Sequence, residues 1–251
     1  MDSVGANELA ARFRAAREDA TLAVLEGFHP VKHALRFGAE LLEVVAVDPG
    51  EVAALTDRLA PDVREELQAR LRPVDAETFA ALIPTPPATR VAALARRPAD
   101  ELARLVSSPG PGPIVLLDAP RHLGNVGAAI RVAAAAGAEA VAVTGPADPW
   151  HPAAIRGAAG LQFALPVGRL ESARQAVRPI VAFDPAGDPL DPEAVPPGAV
   201  LAFGSERTGL GSGVAAAATL RVALPMRPGV SSLNLATAVA AAPYGLRLAA
   251  G

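Results

Sequence analysis

Uninterrupted apolar runs alternate with helical segments through the second half of this chain, and that alternation limits the possible folds more than any other feature. The runs are IVLLD (114–118), AVAVTG (140–145), IVAFD (180–184) and GAVLAFG (198–204). None shows the polar alternation of a strand with one solvent-facing side, so each is predicted to be covered on both faces. Strands of this kind separated by helices predict an α/β fold with a parallel sheet.

The first hundred residues alternate in the same way on a smaller scale. Helices are predicted at 7–20, 28–38, 51–71 and 76–82, and strand-like stretches at 21–27, 41–49 and 72–75. Between the two halves, SSPGPGP (107–113) is rich in proline and glycine, which prevent regular structure. The sequence therefore predicts a small α/β domain over 1–106, a linker over 107–112 and a second domain over 113–251.

Composition excludes several classes of protein and site. Hydrophobic residues make up 51% of the chain and charged residues 20%, which is typical of a globular protein. The absence of cysteine excludes disulfides, thiolate nucleophiles and cysteine zinc sites. The polar N-terminal segment lacks the apolar core of a signal peptide, and no apolar run is long enough to span a bilayer. We therefore expect a cytoplasmic protein with no membrane contact.

Three turns that combine glycines with polar side chains follow apolar runs. They lie in RHLGNVGAAIR (121–131), AFGSERTGLG (202–211) and LPMRPGVSSLNLATA (224–238). The polar residues that stand out in them are Asn125, Arg131, Glu206, Ser232 and Asn234. Because parallel strands end at one edge of a sheet, where open α/β folds bind ligands, the three turns together predict a single ligand site.

Each turn taken alone has a simpler interpretation. Asn125 is a good helix N-cap, Ser231 or Ser232 could cap the last helix, and Glu206 could be exposed on an ordinary tight turn. Helix geometry adds a condition for the first turn. Asn125 and Arg131 lie about 240° apart around a helix, so they converge only if Asn125 is in the turn that precedes it.

The turns do not fit the common nucleotide-binding motifs. A dinucleotide fingerprint needs G-x-G-x-x-G and an acidic residue after the next strand. This sequence has only Gly124 and Gly127, with Thr144 in the acidic position, and no Gly-Lys-Ser/Thr phosphate loop occurs in it. A nicotinamide dehydrogenase is therefore disfavoured.

Taken together, the turns resemble the motifs of the SpoU/TrmH family, RNA ribose methyltransferases of the SPOUT superfamily. The resemblance rests on N-x-G-x-x-x-R after the first strand, F-G-S-E after a later one and L-P-M…S-L-N before the last helix, in that order. AAIRGAAGLQFALPV (154–168) is similar to a further family segment, and the first domain resembles the small RNA-binding domain that many members carry. The departures from the family pattern are Ala158 for serine, Arg207 for glycine and Pro243 within the last helix.

The resemblance implies a SPOUT domain whose C-terminal segment forms a deep trefoil knot, S-adenosylmethionine as cofactor, and a homodimer. The positions that match cofactor contacts are Thr144, Gly204, Leu224, Met226 and Leu233. Arg131 matches the proposed catalytic arginine, and its supporting polar set is Asn125, Glu206, Ser232 and Asn234. The arginines expected to contact RNA are Arg12, Arg14 and Arg17 in the first domain and Arg156 in the second.

The implied reaction is methylation of a ribose 2′-hydroxyl in structured RNA, with ribosomal RNA favoured over transfer RNA because of the first domain. The alternatives are a transfer-RNA 2′-O-methyltransferase and a non-catalytic RNA-binding protein that kept the fold. At a formal net charge of −3, RNA binding has to rely on local clusters of arginine. His29 and His33 have no third ligand nearby, so no metal site is expected, and Trp150 either stacks a base or anchors a loop.

Overall fold

The computed structural model of the protein describes residues 3–249. Helices α1 to α10 span Ser3–Ala16, Phe28–Arg36, Pro49–Leu59, Arg64–Arg70, Ala76–Leu82, Leu102–Val106, Leu123–Ala136, Pro152–Ala158, Ser212–Ala217 and Leu235–Ala249. Strands β1 to β10 span Leu22–Glu26, Leu41–Ala46, Leu71–Pro73, Val91–Arg96, Ile114–Leu117, Ala140–Val143, Val167–Arg169, Ile180–Pro189, Val200–Phe203 and Leu220–Ala223. The sequence pattern did not indicate β4 or α6.

The described residues form two compact units. The first comprises residues up to Pro98 together with Trp150–Ala164, and the second comprises Ala99–Pro149 and the residues from Leu165 onward. This division differs from the predicted domains in two places. The second unit begins before α6 and includes the predicted linker 107–112, whereas α8 packs with the first unit.

A four-stranded sheet in the order β1-β4-β2-β3 is the framework of the first unit. Strand β4 is antiparallel to β1 and β2, whereas β3 is parallel to β2. Helices α1 and α5 cover one face of the sheet, and there Phe13 and Phe79 are buried together with Leu94. The first unit is therefore an α/β structure, as its alternating pattern predicted.

Trp150 fixes the start of the segment 150–164. Its ring is only 7% exposed and packs edge to face against Phe163, with 5.1 Å between the ring centroids. A buried indole has no free face on which a nucleobase could stack. Of the two alternatives left open by the sequence, the structure supports the loop anchor.

Helix α2 holds the other end of this segment. His33 donates from Nδ1 to the Ala159 carbonyl at 2.6 Å. Burial lowers the pKa of His33, and it does so despite that hydrogen bond. Gly160 has a φ of 80°, and a Cβ at this position would lie 2.7 Å from the backbone of Pro30. Glycine is therefore required for the close approach of the two backbones.

A six-stranded sheet in the order β10-β8-β9-β5-β6-β7 is the framework of the second unit. All its strand pairs are parallel, and every residue of β5, β6 and β9 is buried. The prediction of a parallel sheet covered on both faces is therefore confirmed. The trefoil knot stays a prediction from the resemblance.

Helix α6 belongs to the second unit because of its buried side chains. Leu102 and Val106 are in the same apolar core as Ile114 and Leu116 of β5. The boundary between the units therefore precedes α6 instead of following it. Within residues 3–249, no helix is long and apolar enough to cross a membrane.

The predicted linker 107–112 is bound to the sheet by a buried arginine. Arg178 is 5% exposed and donates from Nε to the carbonyl of Ser108 and from Nη1 to that of Gly112, at 2.7 and 3.0 Å. Its Nη2 donates to Glu139 at 2.7 Å, and Glu139 in turn accepts from the Gly112 N–H at 3.0 Å. A third carbonyl, that of Gly198, also accepts from Nη1. The segment thus lacks regular structure without being a free connection.

Candidate functional site

A pocket of about 450 Å³ lies at the carboxyl edge of the six-stranded sheet, between strand β8 and the loops that follow β9 and β10. Because all six strands run in the same direction, these loops leave the sheet at one edge, which is the usual ligand-binding edge of an α/β fold. The residues named from the sequence that line the pocket are Gly204, Glu206, Leu224, Met226, Ser232, Leu233 and Asn234. Two of the three predicted turns, 202–211 and 224–238, therefore line one pocket, whereas the first turn, 121–131, contributes no lining residue.

The wall of the pocket is apolar on one side. Phe183 and Phe203 stack with their centroids 4.8 Å apart and their planes inclined by 8°. On the opposite loop, Leu224 and Leu233 also line the pocket. Their backbone groups make no hydrogen bond with another described residue, so they are available to a ligand. Apolar walls with free backbone donors and acceptors suit a flat heterocycle.

A tight turn brings Glu206 to the pocket. Ser205 and Gly209 exchange backbone hydrogen bonds of 2.9 and 3.1 Å, and the Ser205 and Thr208 hydroxyls are 2.7 Å apart. Gly204 precedes the turn, and a Cβ there would lie 2.1 Å from the carbonyl carbon of Gly209. Only glycine lets the turn close this tightly.

A chain of side-chain hydrogen bonds connects all three turns. Asn125 donates from Nδ2 to Glu206 Oε1 at 2.7 Å, and its Oδ1 accepts from Asn234 Nδ2 at 3.2 Å. Asn234 Oδ1 meanwhile accepts from the backbone N–H groups of Ala236 and Thr237. These partners fix which way both amides face. We call Glu206, Asn125 and Asn234 the polar relay.

The polar relay corrects two expectations about capping. Asn125 is not an N-cap, because α7 begins at Leu123 and Asn125 lies in its first turn. Instead, Glu206 accepts from the backbone N–H of Arg121 at 3.1 Å, just before that helix. At α10 the cap is Asn234 itself, which leaves Ser231 and Ser232 in the preceding loop.

Glu206 is held as a carboxylate. Partial burial raises the pKa of Glu206. The hydrogen bonds from Asn125 and from the backbone N–H groups of Arg121 and His122 lower it by more, so the net shift of the pKa is downward. A carboxylate beside the N-terminus of α7 is also favoured by the helix dipole. With a lowered pKa and both oxygens occupied, Glu206 is suited to holding Asn125 and is a weak proton acceptor.

Asp118 is a structural residue of the site that the sequence reasoning missed. It is 8% exposed, and its two oxygens accept from the Thr144 hydroxyl and the Gly211 N–H, both at 2.6 Å. The Thr144 hydroxyl also accepts from the Ala119 N–H at 3.0 Å. Thr144 therefore ties the ends of β5 and β6 together and does not line the pocket. The sequence feature that could have identified Asp118 is an acidic residue directly after the apolar run of β5.

Arg131 is not brought to the polar relay. Both Asn125 and Arg131 lie within α7, so the 240° separation applies, and the condition under which they would converge is not met. Arg131 is exposed, and its guanidinium makes no hydrogen bond or ion pair with another described residue. Its guanidinium is thus available for a group that is not part of this chain.

Most of the arginines expected to contact RNA have protein partners. Arg17 donates to Glu26 at 3.0 Å, and Arg156 reaches the other oxygen of the same buried glutamate at 3.3 Å. Arg12 pairs with a glutamate of β2 at 2.5 Å. Arg14 is exposed on α1 without an ion-pair partner among the described residues. Over the same part of the chain, no group of three or more acidic, histidine or cysteine side chains could hold a metal ion.

Comparison with known proteins gives the family. The SpoU rRNA Methylase family model matches residues 112–244, which include all three turns and the pocket. The 23S rRNA (adenosine(1067)-2′-O)-methyltransferase of Streptomyces laurentii is 30% identical over 234 residues, 84% of this chain and 80% of that protein. The 23S rRNA (guanosine(2553)-2′-O)-methyltransferase RlmP of Bacillus subtilis is 28% identical over 232 residues, 89% of this chain and 88% of that protein.

Solved structures of methyltransferases have a similar fold over nearly the whole length of this chain. The SpoU methyltransferase AviRb of Streptomyces viridochromogenes, in complex with the cofactor AdoMet, has a TM-score of 0.76 at 26% identity and covers 98% of both chains. An AdoMet-bound rRNA methyltransferase of Sinorhizobium meliloti has a TM-score of 0.76 at 25% identity, over 99% of this chain and 95% of that one. The resemblance inferred from the three turns is confirmed, and the chain belongs to the SpoU rRNA methylase family.

Proposed function

We propose that the protein transfers the methyl group of S-adenosylmethionine to a ribose 2′-hydroxyl of ribosomal RNA. The observation that carries this proposal is the pocket at the carboxyl edge, whose wall includes Glu206 and Asn234 of the polar relay. The two relatives named above modify the ribose of adenosine and of guanosine in 23S rRNA. Because their target bases differ while the acceptor is the same, the proposal specifies the acceptor and leaves the base open.

The pocket residues fit the cofactor. Backbone groups at Leu224, Met226 and Leu233 would hold its polar edges, and the Phe183 and Phe203 side would contact its apolar surface. Gly204 lines the pocket and lets the turn that bears Glu206 close without a side-chain clash. When bound, S-adenosylmethionine supplies a methyl group on a sulfonium that is already a good leaving group. The protein therefore has mainly to position the acceptor oxygen and exclude water.

The remaining chemical task is removal of the proton from the 2′-hydroxyl. Glu206 is poorly suited to it because its pKa is lowered, so we assign it a positioning role through Asn125. Arg131 is permanently charged and exposed, which suits it to orient a phosphate or stabilise a developing alkoxide. We assign Ser232 and Asn234, which line the pocket, to contacts with the target nucleotide.

We expect a homodimer formed through α7 and α10. These helices pack against each other, and α10 continues through the buried Pro243 to Ala249. Near its end, Leu248 is 80% exposed and Tyr244 is 40% exposed, an apolar surface that a second copy would cover. Light scattering at micromolar concentration should give the dimer mass, and Leu248→Asp should lower it. A monomeric wild-type protein would contradict this expectation.

The function is tested by transfer of tritium from labelled S-adenosylmethionine to protein-free ribosomal RNA and, separately, to transfer RNA. We expect label in ribosomal RNA, recovered in an alkali-stable dinucleotide because a 2′-O-methyl group blocks hydrolysis of the next phosphodiester. Label confined to transfer RNA would show that the substrate is transfer RNA and not ribosomal RNA. Label on a base would refute ribose methylation. Binding of S-adenosylhomocysteine without any transfer would favour the non-catalytic RNA-binding alternative.

Replacement of Glu206 by glutamine should reduce kcat for methyl transfer by at least about tenfold, or 1.4 kcal/mol, because Asn125 is no longer held in its working orientation. One acceptor oxygen becomes an amide donor, which then faces an N–H of Asn125 or Arg121. The KM for RNA and the affinity for S-adenosylhomocysteine should change much less. Glu193→Gln, at an exposed glutamate away from the pocket, is the matched control. A loss confined to cofactor binding would contradict the positioning role.

A further inference from the structure

The arginines of the first unit are largely neutralised by carboxylates. Those in ion pairs at the surface are Arg12, Arg36, Arg64, Arg70, Arg72 and Arg96, of which Arg12 and Arg72 share the largely buried Glu43. Arg14, Arg58 and Arg90 have no such partner among the described residues, but they lie on α1, on α3 and before β4. The first unit thus presents scattered single cations.

The loops around the pocket differ in this respect. Arg121 precedes α7, Arg207 is in the tight turn after β9, and Arg227 is in the loop after β10. All three are exposed, and within residues 3–249 their guanidinium groups have no hydrogen-bond or ion-pair partner. We call them the rim arginines. Arg207 itself lines the pocket, and Arg227 follows the lining residue Met226.

The one carboxylate close to two of the rim arginines does not neutralise them. Glu206 is the chain neighbour of Arg207 and accepts from the Arg121 N–H, but its oxygens are directed to that N–H and to Asn125. The other lining carboxylate, Asp184, is paired with Arg221 at 2.9 Å. The rim arginines therefore keep their positive charge at the pocket mouth in a protein whose formal net charge is −3.

Resting on the proposed function, we propose that Arg121, Arg207 and Arg227 bind the RNA phosphates on either side of the target nucleotide. A nucleotide whose ribose enters the pocket carries a phosphate on each side, and these phosphates must pass the pocket mouth. Guanidinium groups bind phosphate oxygens in bidentate fashion. The turn that bears Arg207 is closed by two backbone hydrogen bonds, so its backbone loses little conformational freedom when the contact forms.

The test is the salt dependence of binding to protein-free 23S rRNA, measured by filter binding with S-adenosylhomocysteine present. Each phosphate contact contributes about one unit to the slope of log affinity against log salt. The triple variant Arg121→Gln, Arg207→Gln, Arg227→Gln should lose about two to three units of slope and at least about tenfold in affinity at about 0.1 M salt. Because Arg207 also lines the pocket, the affinity of this variant for S-adenosylhomocysteine is expected to change, but by less than about tenfold, and this change should not depend on the slope measured with RNA.

A matched triple variant separates local contacts from net charge. The control variant also removes three positive charges, but it takes them from exposed ion pairs by Arg64→Gln, Arg96→Gln and Arg104→Gln. Its slope should differ from that of wild type by less than about one unit. Equal loss of slope in both triple variants, or none in either, overturns the proposal. If wild type binds RNA with the expected rim dependence but transfers no methyl group, the proposed function fails while the rim assignment stands. If methyl transfer is normal but the rim triple variant has the same slope as wild type, the rim assignment fails while the proposed function stands.

Discussion

Replacement of Arg131 by alanine is expected to lower methyl transfer to ribosomal RNA by about 100- to 1000-fold, the cost of removing one group that stabilises developing charge. Affinity for S-adenosylhomocysteine should remain within about tenfold of wild type, or 1.4 kcal/mol. The structure gives the reason for this separation. Arg131 is exposed on α7, is not among the pocket-lining residues and holds no other described residue in place.

The matched control is Arg174→Ala, which removes the side chain of another exposed arginine of the second unit that has no ion-pair partner among the described residues. It should leave the rate within about threefold of wild type, because a distant surface charge changes mainly the encounter rate. Arg131→Lys keeps the charge without the bidentate geometry and should recover only part of the loss. Equal losses in both alanine variants, or loss of cofactor binding in Arg131→Ala, would show that Arg131 has no specific role.

The position of Arg131 marks the limit of what the turns could predict. Their order along the chain was enough to bring Glu206 and Asn234 to one pocket, because parallel strands end at a common edge. Where α7 begins was not predictable to within one turn, since glycines and polar residues occur on both sides of its start. That single turn decides whether Asn125 is a cap or a helical residue, and hence whether Arg131 faces it.

The predicted domain boundaries differ from the two compact units for another reason. A proline- and glycine-rich segment indicates missing regular structure, but it does not indicate missing contacts, and 107–112 is bound by Arg178. Likewise, α8 resembles a helix of the second domain in chain order, whereas Gly160 and Trp150 pack with the first unit. Strand β4, VAALAR, is alanine-rich, and alanine has a weak strand preference. Contacts between distant segments decided all three outcomes.

Replacement of Arg178 by methionine should destabilise the second unit by about 3–5 kcal/mol, because it leaves the Glu139 carboxylate and three carbonyl groups without their donor. Urea unfolding followed by circular dichroism measures this. The only tryptophan, Trp150, lies in the first unit, so its fluorescence is the wrong probe. Arg221→Met is the control, since its ion pair with Asp184 is half exposed and is worth at most about 1 kcal/mol.

The dependence of this loss on pH follows from Glu139. Burial raises the pKa of Glu139, but the Gly112 N–H and Arg178 lower it more, so the net shift is downward. A carboxyl whose pKa is lower in the folded state contributes stability above its unfolded pKa of about 4.3 and loses it as the pH falls through the folded value. The difference between wild type and Arg178→Met should therefore be full at neutral pH and shrink in acid. The double variant Arg178→Met, Glu139→Leu should be more stable than Arg178→Met at neutral pH, because no partly buried carboxylate is left without its arginine. A loss from Arg178→Met that is unchanged in acid and unrelieved by the second substitution would assign its effect to packing alone.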